Sequence, residues 1–467
     1  MIRMTRLVLR STLAGGVLAL TLAAGVPAHA APKPPAPPKL NMSKPFQALA
    51  GPMQRAIEAA KARADVTAAQ AGVTTANDAL RAARGSARAA AEAQKAAAIA
   101  ALGATLTAEK TQLDAIYAAI ANQDDRMVAG QLAAQLGGLA QDGAIQRRGL
   151  GLMLESGKLP AADVGKYHFF AGNLAYDAKD YAAARTSLSA AIAAGYREND
   201  PETLLAEAYM NDNQVAQGLT ILMQAIDARK AAGNPAPQNW YRRGLGAAYR
   251  GKMLDQTSAF STALVRDHPN AENWAGAITI LREIARYTNQ ETLDLMRLMD
   301  RTKSYAEERD YVEYIQAADA RRLPGEVMNV INAGVAAGKL REGDMFVAEA
   351  RTIASGRLAA DKASLPALER DSRAANATAA TASAGGDAFL SYGEAAKAAE
   401  LYTIALGKPG VDSARVLTRL GIAQADMGRF AEAKASFAKI DGPRKPLAQL
   451  WDIYVTQKAA APVAAAQ

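Results

Sequence analysis

Apolar residues recur at helical spacing along most of the chain. Between residues 53 and 121 they are mostly alanines, set among Glu, Lys, Arg and Gln, which are all strong helix formers. Larger apolar side chains return every three or four positions near the end of this stretch, at Leu106, Leu113, Ile116, Tyr117 and Ile120. The pattern predicts an Ala-rich helical region over residues 53–124, built from one or two long helices with a break at Gly85-Ser86.

Beyond residue 125, the order of small and large apolar positions repeats with a period of about 34 residues, here called the repeat frame. One period carries Gly172 onto Ala206, and Trp240 onto Trp274. Two antiparallel helices per unit explain such a period, because small residues let the helices cross closely and stacked units bury a continuous core. We expect about five or six such helical hairpins between residues 125 and 455.

The unit that starts at Trp240 resembles a tetratricopeptide repeat. Its matching positions are Trp240, Gly244, Gly251, Phe260, Ala263, Leu264 and Pro269. A later unit is the most similar, with Leu420, Gly421, Gly428, Arg429, Phe430, Ala433 and Phe437. The resemblance implies an all-α fold: an α-solenoid, coiled as a right-handed superhelix of tetratricopeptide-type hairpins, that serves as a protein-interaction scaffold. We expect it over residues 125–370, with further units over residues 388–457.

Segments without helical periodicity set the other boundaries. Residues 31–52 are rich in proline and lysine and predict a stiff linker. Residues 371–387 consist mostly of Ala, Thr, Ser and Gly, and predict a flexible loop that separates the C-terminal units from the rest. Residues 458–467 predict a disordered tail.

Residues 1–30 have the features of a secretory signal peptide. Three arginines precede an apolar stretch from Leu13 to Val26, and the A-x-A sequence at 28–30 predicts cleavage after Ala30. We therefore expect the protein in the periplasm of a bacterium, with no transmembrane segment after cleavage. An uncleaved N-terminal anchor is the alternative.

Composition and charge exclude several kinds of chemistry. The chain has no cysteine and three histidines, so disulfides, thiolate metal sites and His-rich metal centres are not expected. Loss of three arginines with the signal peptide lowers the net charge from +8 to +5, too little to indicate nucleic-acid binding. No metalloprotease or hydrolase motif occurs. We expect no cofactor, no metal and no catalytic residue.

The candidate site is a groove. In tetratricopeptide arrays the first helix of each hairpin lines the concave side, and aromatic residues among a few polar groups suit a bound peptide. The residues that the repeat frame places there are Phe169, Asn173, Tyr176, Tyr241, Arg242, Leu245, Tyr249 and Arg282. For each of them, packing between helices is the alternative role.

Some tetratricopeptide domains hold the C-terminal carboxylate of a peptide in a clamp of Lys, Asn and Arg side chains. Asn173 and Arg242 match that clamp. Phe169, Glu207 and Gln238 do not, and Glu207 would repel a carboxylate. We therefore do not expect this mode of binding.

Two functions remain open. The first is a non-enzymatic periplasmic adaptor that binds a protein or peptide partner of the cell envelope, with the Ala-rich helices available for self-association. The second is a solenoid enzyme that acts on cell-wall or polysaccharide substrates through groove carboxylates. The candidate carboxylates are Asp177, Glu207, Glu283 and Glu313.

Overall fold

The computed structural model describes residues 40–460, which form α-helices, a short 3₁₀-helix (Gly442–Arg444) and no strand. The predicted all-α class is confirmed. The predicted signal peptide, the first part of the predicted linker (residues 31–39) and the end of the predicted tail (residues 461–467) lie outside the described residues.

The chain divides into two compact units, and the division falls inside one helix. Unit 1 extends to Ile221 and unit 2 starts at Leu222. The helices up to and including the divided one are α1 (Lys44–Ala62), α2 (Ala64–Ala82), α3 (Ala87–Thr105), α4 (Thr107–Ala118), α5 (Gln123–Ala140), α6 (Gly143–Glu155), α7 (Ala161–Asp177), α8 (Tyr181–Ala193), α9 (Pro201–Asn211) and α10 (Val215–Ala231). The later helices are α11 (Gln238–Arg250), α12 (Leu254–Asp267), α13 (Ala271–Ala285), α14 (Asn289–Arg301), α15 (Glu308–Ala318), α16 (Pro324–Ala336), α17 (Met345–Arg373), α18 (Ala379–Ser391), α19 (Ala395–Leu406), α20 (Ser413–Asp426), α21 (Phe430–Phe437) and α22 (Lys445–Ala460).

Polar side chains fix where many of these helices begin. Asn122, Asp142, Asp180, Asn270, Asp344, Thr378 and Asp412 each accept a hydrogen bond from a backbone N–H of the helix that follows. Thr288 and Glu291 form a capping box at the start of α14. Such caps satisfy donors that have no partner inside the helix.

Glycines let paired helices approach closely within the hairpins. In four hairpins a glycine on the first helix lies against a large side chain on the second, always at the same separation along the chain: Gly172 against Leu188, Gly244 against Phe260, Gly386 against Tyr402, and Gly421 against Phe437. A Cβ on Gly244 would lie 2.1 Å from the Phe260 ring. The glycines therefore occupy crossing points, as the period of small and large positions predicts.

Substitution of Gly244 tests this packing. We expect Gly244→Ala to lower the free energy of unfolding of unit 2 by about 1–3 kcal/mol, because the added methyl group overlaps Phe260. Gly276→Ala is the matched control, since a Cβ there meets nothing within 4 Å and α13 gains a better helix former. The three tryptophans of the chain, Trp240, Trp274 and Trp451, all lie in unit 2, so their fluorescence during chemical denaturation reports on that unit. Equal effects of the two substitutions would contradict the crossing role of Gly244.

The Ala-rich region differs from the predicted one or two helices. It forms α1 to α4, with the predicted break at Gly85, whose φ is +54°. These helices share one hydrophobic core with α5, through residues such as Ile57, Leu102 and Leu136. The predicted boundary at residues 124–125 therefore falls in the first turn of α5, a helix that packs together with α1 to α4.

The predicted linker over residues 31–52 is wrong in its second part. Residues 44–52 belong to α1, which starts with a proline in its first turn and continues through Pro52. A proline in the first turn removes only a donor that would be unpaired, and the buried Phe46 and Met53 supply packing energy. Asp125, fully buried, also accepts hydrogen bonds from the backbone N (2.8 Å) and the Oγ (2.7 Å) of Ser43, which fastens the start of α1.

The predicted flexible loop at residues 371–387 is also wrong, because α17 and α18 fill most of it. Its small residues serve close packing. A Cβ on Gly385 would lie 2.3 Å from Ser372 Oγ, and one on Gly386 would lie 2.6 Å from the Tyr402 ring. The predicted disordered tail is helical over residues 458–460, where α22 ends.

The C-terminal helices return to the first helices of unit 2. Helix α22 packs against α12 and α14, and α20 also contacts α14. Gln457 Nε2 donates to the carbonyl of Val265 at 2.7 Å, and Trp451 Nε1 donates to the carbonyl of Asp294 at 3.1 Å. The predicted separation of residues 388–457 from the preceding hairpins is therefore not observed.

Asp294 is the centre of a buried ionic network in unit 2. Its fully buried carboxylate accepts hydrogen bonds from Arg297 Nη1 (3.1 Å), Arg419 Nε (3.0 Å) and Arg444 Nη1 (2.8 Å). Burial alone would raise the pKa of Asp294, but the charges of Arg419, Arg444 and Arg297 outweigh it and lower the pKa.

Further carboxylates compensate the guanidinium groups. Arg297 binds both oxygens of Glu326, at 2.8 and 2.7 Å, and Arg419 binds Asp387 at 2.6 Å. Two tyrosine hydroxyls donate hydrogen bonds to these carboxylates: Tyr314 to Glu326 and Tyr402 to Asp387, both at 2.7 Å. The network ties the C-terminal helices to α14 and α16. Because Asp294, Arg297 and Arg419 are almost wholly buried, we assign it to structure and not to ligand binding.

Candidate partner-binding site

The eight predicted groove residues are divided between the two units. Phe169, Asn173 and Tyr176 lie on α7 in unit 1. The other five lie in unit 2, four of them on α11 and Arg282 on α13.

Phe169 and Tyr241 are core residues, which corrects their prediction as groove residues. Phe169 is 4% exposed, and its ring packs against Phe170 and Tyr196 at centroid distances of 5.8 and 5.1 Å. Tyr241 is 0% exposed and lies edge-on to His268 at 5.1 Å. Both sit on the stripe of their helix that faces neighbouring helices, so a partner would not reach them.

Tyr241 belongs to a polar cluster around Asp267. Its hydroxyl donates to Asp267 Oδ2 at 3.0 Å, and Lys230 Nζ lies 2.6 Å from Oδ1. Burial acts to raise the pKa of Asp267, but hydrogen bonds from Arg266 and Lys230 outweigh it and lower the pKa to about 2. Burial and the bond to Asp267 raise the pKa of Tyr241. The cluster stabilises the junction of α10, α11 and α12.

Tyr176 bridges two helices of unit 1. Its hydroxyl donates to Glu207 Oε2 at 3.2 Å and accepts from Asn211 Nδ2 at 2.7 Å. Burial and the charge of Glu207 raise the pKa of Tyr176. Asn173 is half-buried one turn earlier on α7. Through these contacts, Tyr176 and Glu207 link α7 to α9.

Arg242 and Leu245 remain on the surface of α11. Arg242 is exposed, and its Nη2 lies 2.8 Å from Glu272 Oε1 and 3.2 Å from Asn273 Oδ1. Leu245 is half-buried. Both can contact a partner, although Arg242 would exchange existing hydrogen bonds to do so.

Of the other two predicted residues of unit 2, Arg282 lines an open cleft of ≈ 250 Å³, here called the Arg282 cleft. It is lined by Arg282, Glu283, Asn289, Thr292, Arg309, Glu313, Gln316 and Ala317. Tyr249 adjoins the cleft through Glu283, because its hydroxyl donates to Glu283 Oε2 at 2.8 Å. The Tyr249 side chain is 45% exposed. This hydrogen bond and the charge of Glu283 raise the pKa of Tyr249.

Arg282 forms the buried wall of the cleft. Its side chain is 8% exposed, and Nη1 lies 2.5 Å from Glu313 Oε2 and 3.5 Å from Asp310 Oδ1. Arg309 Nε donates to Glu313 Oε1 at 3.0 Å. Glu313 is thus ion-paired with both arginines, whereas Arg282 Nε, Arg282 Nη1 and Glu313 Oε2 are buried with no hydrogen bond among the described residues.

The cleft crosses equivalent positions of consecutive hairpins. Tyr249, Glu283 and Ala317 occupy the same position in successive periods of the repeat frame, and Gln316 follows Arg282 by one period. They lie on the first helices of three hairpins, α11–α12, α13–α14 and α15–α16. One further step of the repeat frame would have identified Gln316. The frame gives no signal for Asn289 and Thr292, since they come from the second helix α14.

The four carboxylates proposed for an enzyme are divided between the two units. Glu283 and Glu313 line the Arg282 cleft, whereas Asp177 and Glu207 belong to unit 1. Glu313 is ion-paired with two arginines, an arrangement that suits a structural carboxylate better than a proton donor. In the part of the chain that the structure describes, no three His, Asp or Glu side chains are arranged to hold a metal ion.

None of the helices between residues 40 and 460 combines the length and the hydrophobicity needed to span a bilayer. In comparisons with known proteins, no family model and no curated protein matches this chain.

Proposed function

We propose that this chain is a non-enzymatic periplasmic scaffold of the tetratricopeptide type, which binds a protein or peptide partner in cell-envelope assembly. Its hairpins would form an α-solenoid whose first helices present the binding face. The recurring contact between a glycine on the first helix of a hairpin and a large side chain on the second supports the repeat. The N-terminal sequence supports export.

The Arg282 cleft is the observation that carries the proposal. It gathers charged groups and uncharged amides from the first helices α13 and α15 and from the second helix α14, and the exposed ring of Tyr249 on α11 adjoins it. Grooves that hold peptides combine these features, since aromatic side chains supply contact area and polar groups bind the main chain of the peptide. Phe169 and Tyr241 take no part in this proposal.

An enzyme that acts on cell-wall or polysaccharide substrates is the second candidate. The presence of both Glu283 and Glu313 in one cleft favours it. It predicts that the purified protein releases soluble fragments from cell-wall preparations, and that Glu283→Gln abolishes the release.

Photo-crosslinking in intact cells tests the scaffold. A photoreactive amino acid at Gln316, which is exposed and lines the cleft, is expected to capture a discrete envelope protein. The matched control places it at Met345, which is 84% exposed and does not line the cleft. Capture at Gln316 should fall at least about tenfold in Tyr249→Ala, because an exposed aromatic contact is lost, and should persist in Leu254→Ala.

Two results would contradict the scaffold. One is the same set of products from both crosslinking positions. The other is a Gln316 product that Tyr249→Ala does not reduce. Leu254 is 53% exposed and starts the helix that follows Tyr249, so Leu254→Ala controls for the loss of any exposed apolar side chain nearby.

A further inference from the structure

Glu283 differs from the other charged residues of the Arg282 cleft. Arg282 and Arg309 are both ion-paired with Glu313, at 2.5 and 3.0 Å. Among the described residues, no Lys, Arg or His nitrogen lies within 4.0 Å of the Glu283 carboxylate, which is exposed and receives a hydrogen bond from Tyr249. Glu283 therefore retains acceptor capacity for a ligand.

The distribution of charge in the cleft points to a cation at Glu283. Two arginines, Arg282 and Arg309, and two carboxylates, Glu283 and Glu313, line the cleft, so their charges sum to zero, but both arginines are ion-paired with Glu313 and neither with Glu283. A cationic ligand would find Glu283 without an ion-pair partner in the described structure, and the Coulomb attraction would favour it.

The exposed ring of Tyr249 adds a second element of recognition. Its hydroxyl is 2.8 Å from Glu283, so the aromatic ring and the carboxylate are adjacent. Ammonium and guanidinium groups bind favourably to the face of such a ring, and hydrogen bonds to a carboxylate orient them. The uncharged Asn289 and Gln316 offer donors and acceptors for a peptide main chain.

Resting on the proposed role of the Arg282 cleft in partner binding, we infer that the cleft recognises a lysine or arginine side chain of a peptide segment, which contacts both the face of the Tyr249 ring and the Glu283 carboxylate. Arg282, Arg309 and Glu313 form the fixed wall of this site and are not displaced. The partner is thus a polypeptide with an exposed basic residue.

Four labelled heptapeptides that differ only at their central residue test the inference. The sequence is Gly-Ser-Ala-X-Ala-Ser-Gly with both ends blocked, and X is Arg, Lys, Gln or Glu. Binding to the full chain is measured by fluorescence anisotropy up to millimolar protein. We expect the Arg or Lys peptide to bind at least about tenfold more tightly than the Gln peptide, and the preference to weaken as salt screens Glu283.

Variants of the protein test which residues cause the preference for the Arg and Lys peptides. Glu283→Gln keeps the shape of the side chain and should reduce the preference to within about twofold, because the charge is lost. Tyr249→Ala should weaken the binding of the Arg and Lys peptides, whereas Leu254→Ala should leave the binding of all four peptides unchanged. Tryptophan fluorescence confirms that each variant keeps unit 2 folded.

Several outcomes would overturn the inference. They are equal binding of the Arg and Gln peptides, tighter binding of the Glu peptide, an unchanged preference in Glu283→Gln, and no binding of any peptide. If Gln316 still captures a partner that lacks basic residues at the captured segment, the scaffold stands and the cation site fails. If Gln316 captures nothing, the scaffold itself fails.

Discussion

Replacement of Asp294 by alanine is expected to lower the free energy of unfolding of unit 2 by about 3–5 kcal/mol or more. The substitution leaves Arg297, Arg419 and Arg444 buried with one carboxylate fewer, and a buried charge without compensation is costly. Denaturant unfolding followed by tryptophan fluorescence measures the effect, because all three tryptophans lie in unit 2.

Asp300→Ala is the control for this substitution, since it removes the same side chain from the same helix. Asp300 is partly exposed and forms surface ion pairs with Arg301 and Lys303, so the cost should stay below about 1 kcal/mol. Similar costs for the two variants would contradict a central role for Asp294.

The lowered pKa of Asp294 gives the same prediction a pH signature. A carboxylate whose pKa is lower in the folded state stabilises that state above its ordinary pKa of about 4, and the contribution is lost as the pH falls through the folded value. Unit 2 should therefore lose stability with acid below about pH 4. The loss should be shallower in Asp294→Ala, which lacks this group.

Trp451→Ala is expected to destabilise unit 2 by about 3–5 kcal/mol. Trp451 is fully buried on α22, its ring stacks on Phe437 at 6.0 Å, and its indole N–H donates to the Asp294 carbonyl. The substitution opens a cavity where the last helix contacts the start of unit 2. Hydrogen exchange should show faster opening of α12 and α14 as well as α22, since these helices are in contact.

Two further variants separate packing from the hydrogen bond. Trp451→Phe retains the stacked ring and should cost about 1–2 kcal/mol. Thr456→Ala alters an exposed position of the same helix and should stay within about 0.5 kcal/mol. If hydrogen exchange in Trp451→Ala rises in α22 alone, the C-terminal helices do not support the first helices of unit 2.

The helical class and the hairpins were predictable because their cause is local. The helix-forming composition and the alternation of small and large positions act within a single period of the repeat frame. Gly244 and Phe260 lie on adjacent helices at a spacing that the period already contains. The break at Gly85 was predictable for the same reason, since its positive φ suits glycine.

The predicted flexible loop failed because composition does not distinguish small residues that are mobile from small residues that are packed. Gly385 lies in the segment that composition predicted to be a loop, yet it lets Ser372 approach α18. The prediction that Phe169 and Tyr241 line a groove was wrong for a related reason. An aromatic residue at helical spacing fits either face of a first helix, and neighbouring helices decide which face is buried.

About half of the candidate site followed from the sequence. Tyr249 and Arg282 were predicted from the repeat frame, and Glu283 and Glu313 appeared among the candidate carboxylates. The meeting of Arg282, Glu283 and Glu313 in one cleft, and the pairing of Arg282 with Glu313, depend on how α13, α14 and α15 pack against one another.

The sequence by itself determined that residues 40–460 are helical and that glycines mark the crossings of four hairpins, because these features depend on residues close together along the chain. Only the tertiary structure decided that the C-terminal helices return to α12 and α14 around Asp294. That contact joins residues such as Asp294 and Arg444, which are far apart along the chain, and no local pattern records which buried charge will meet which.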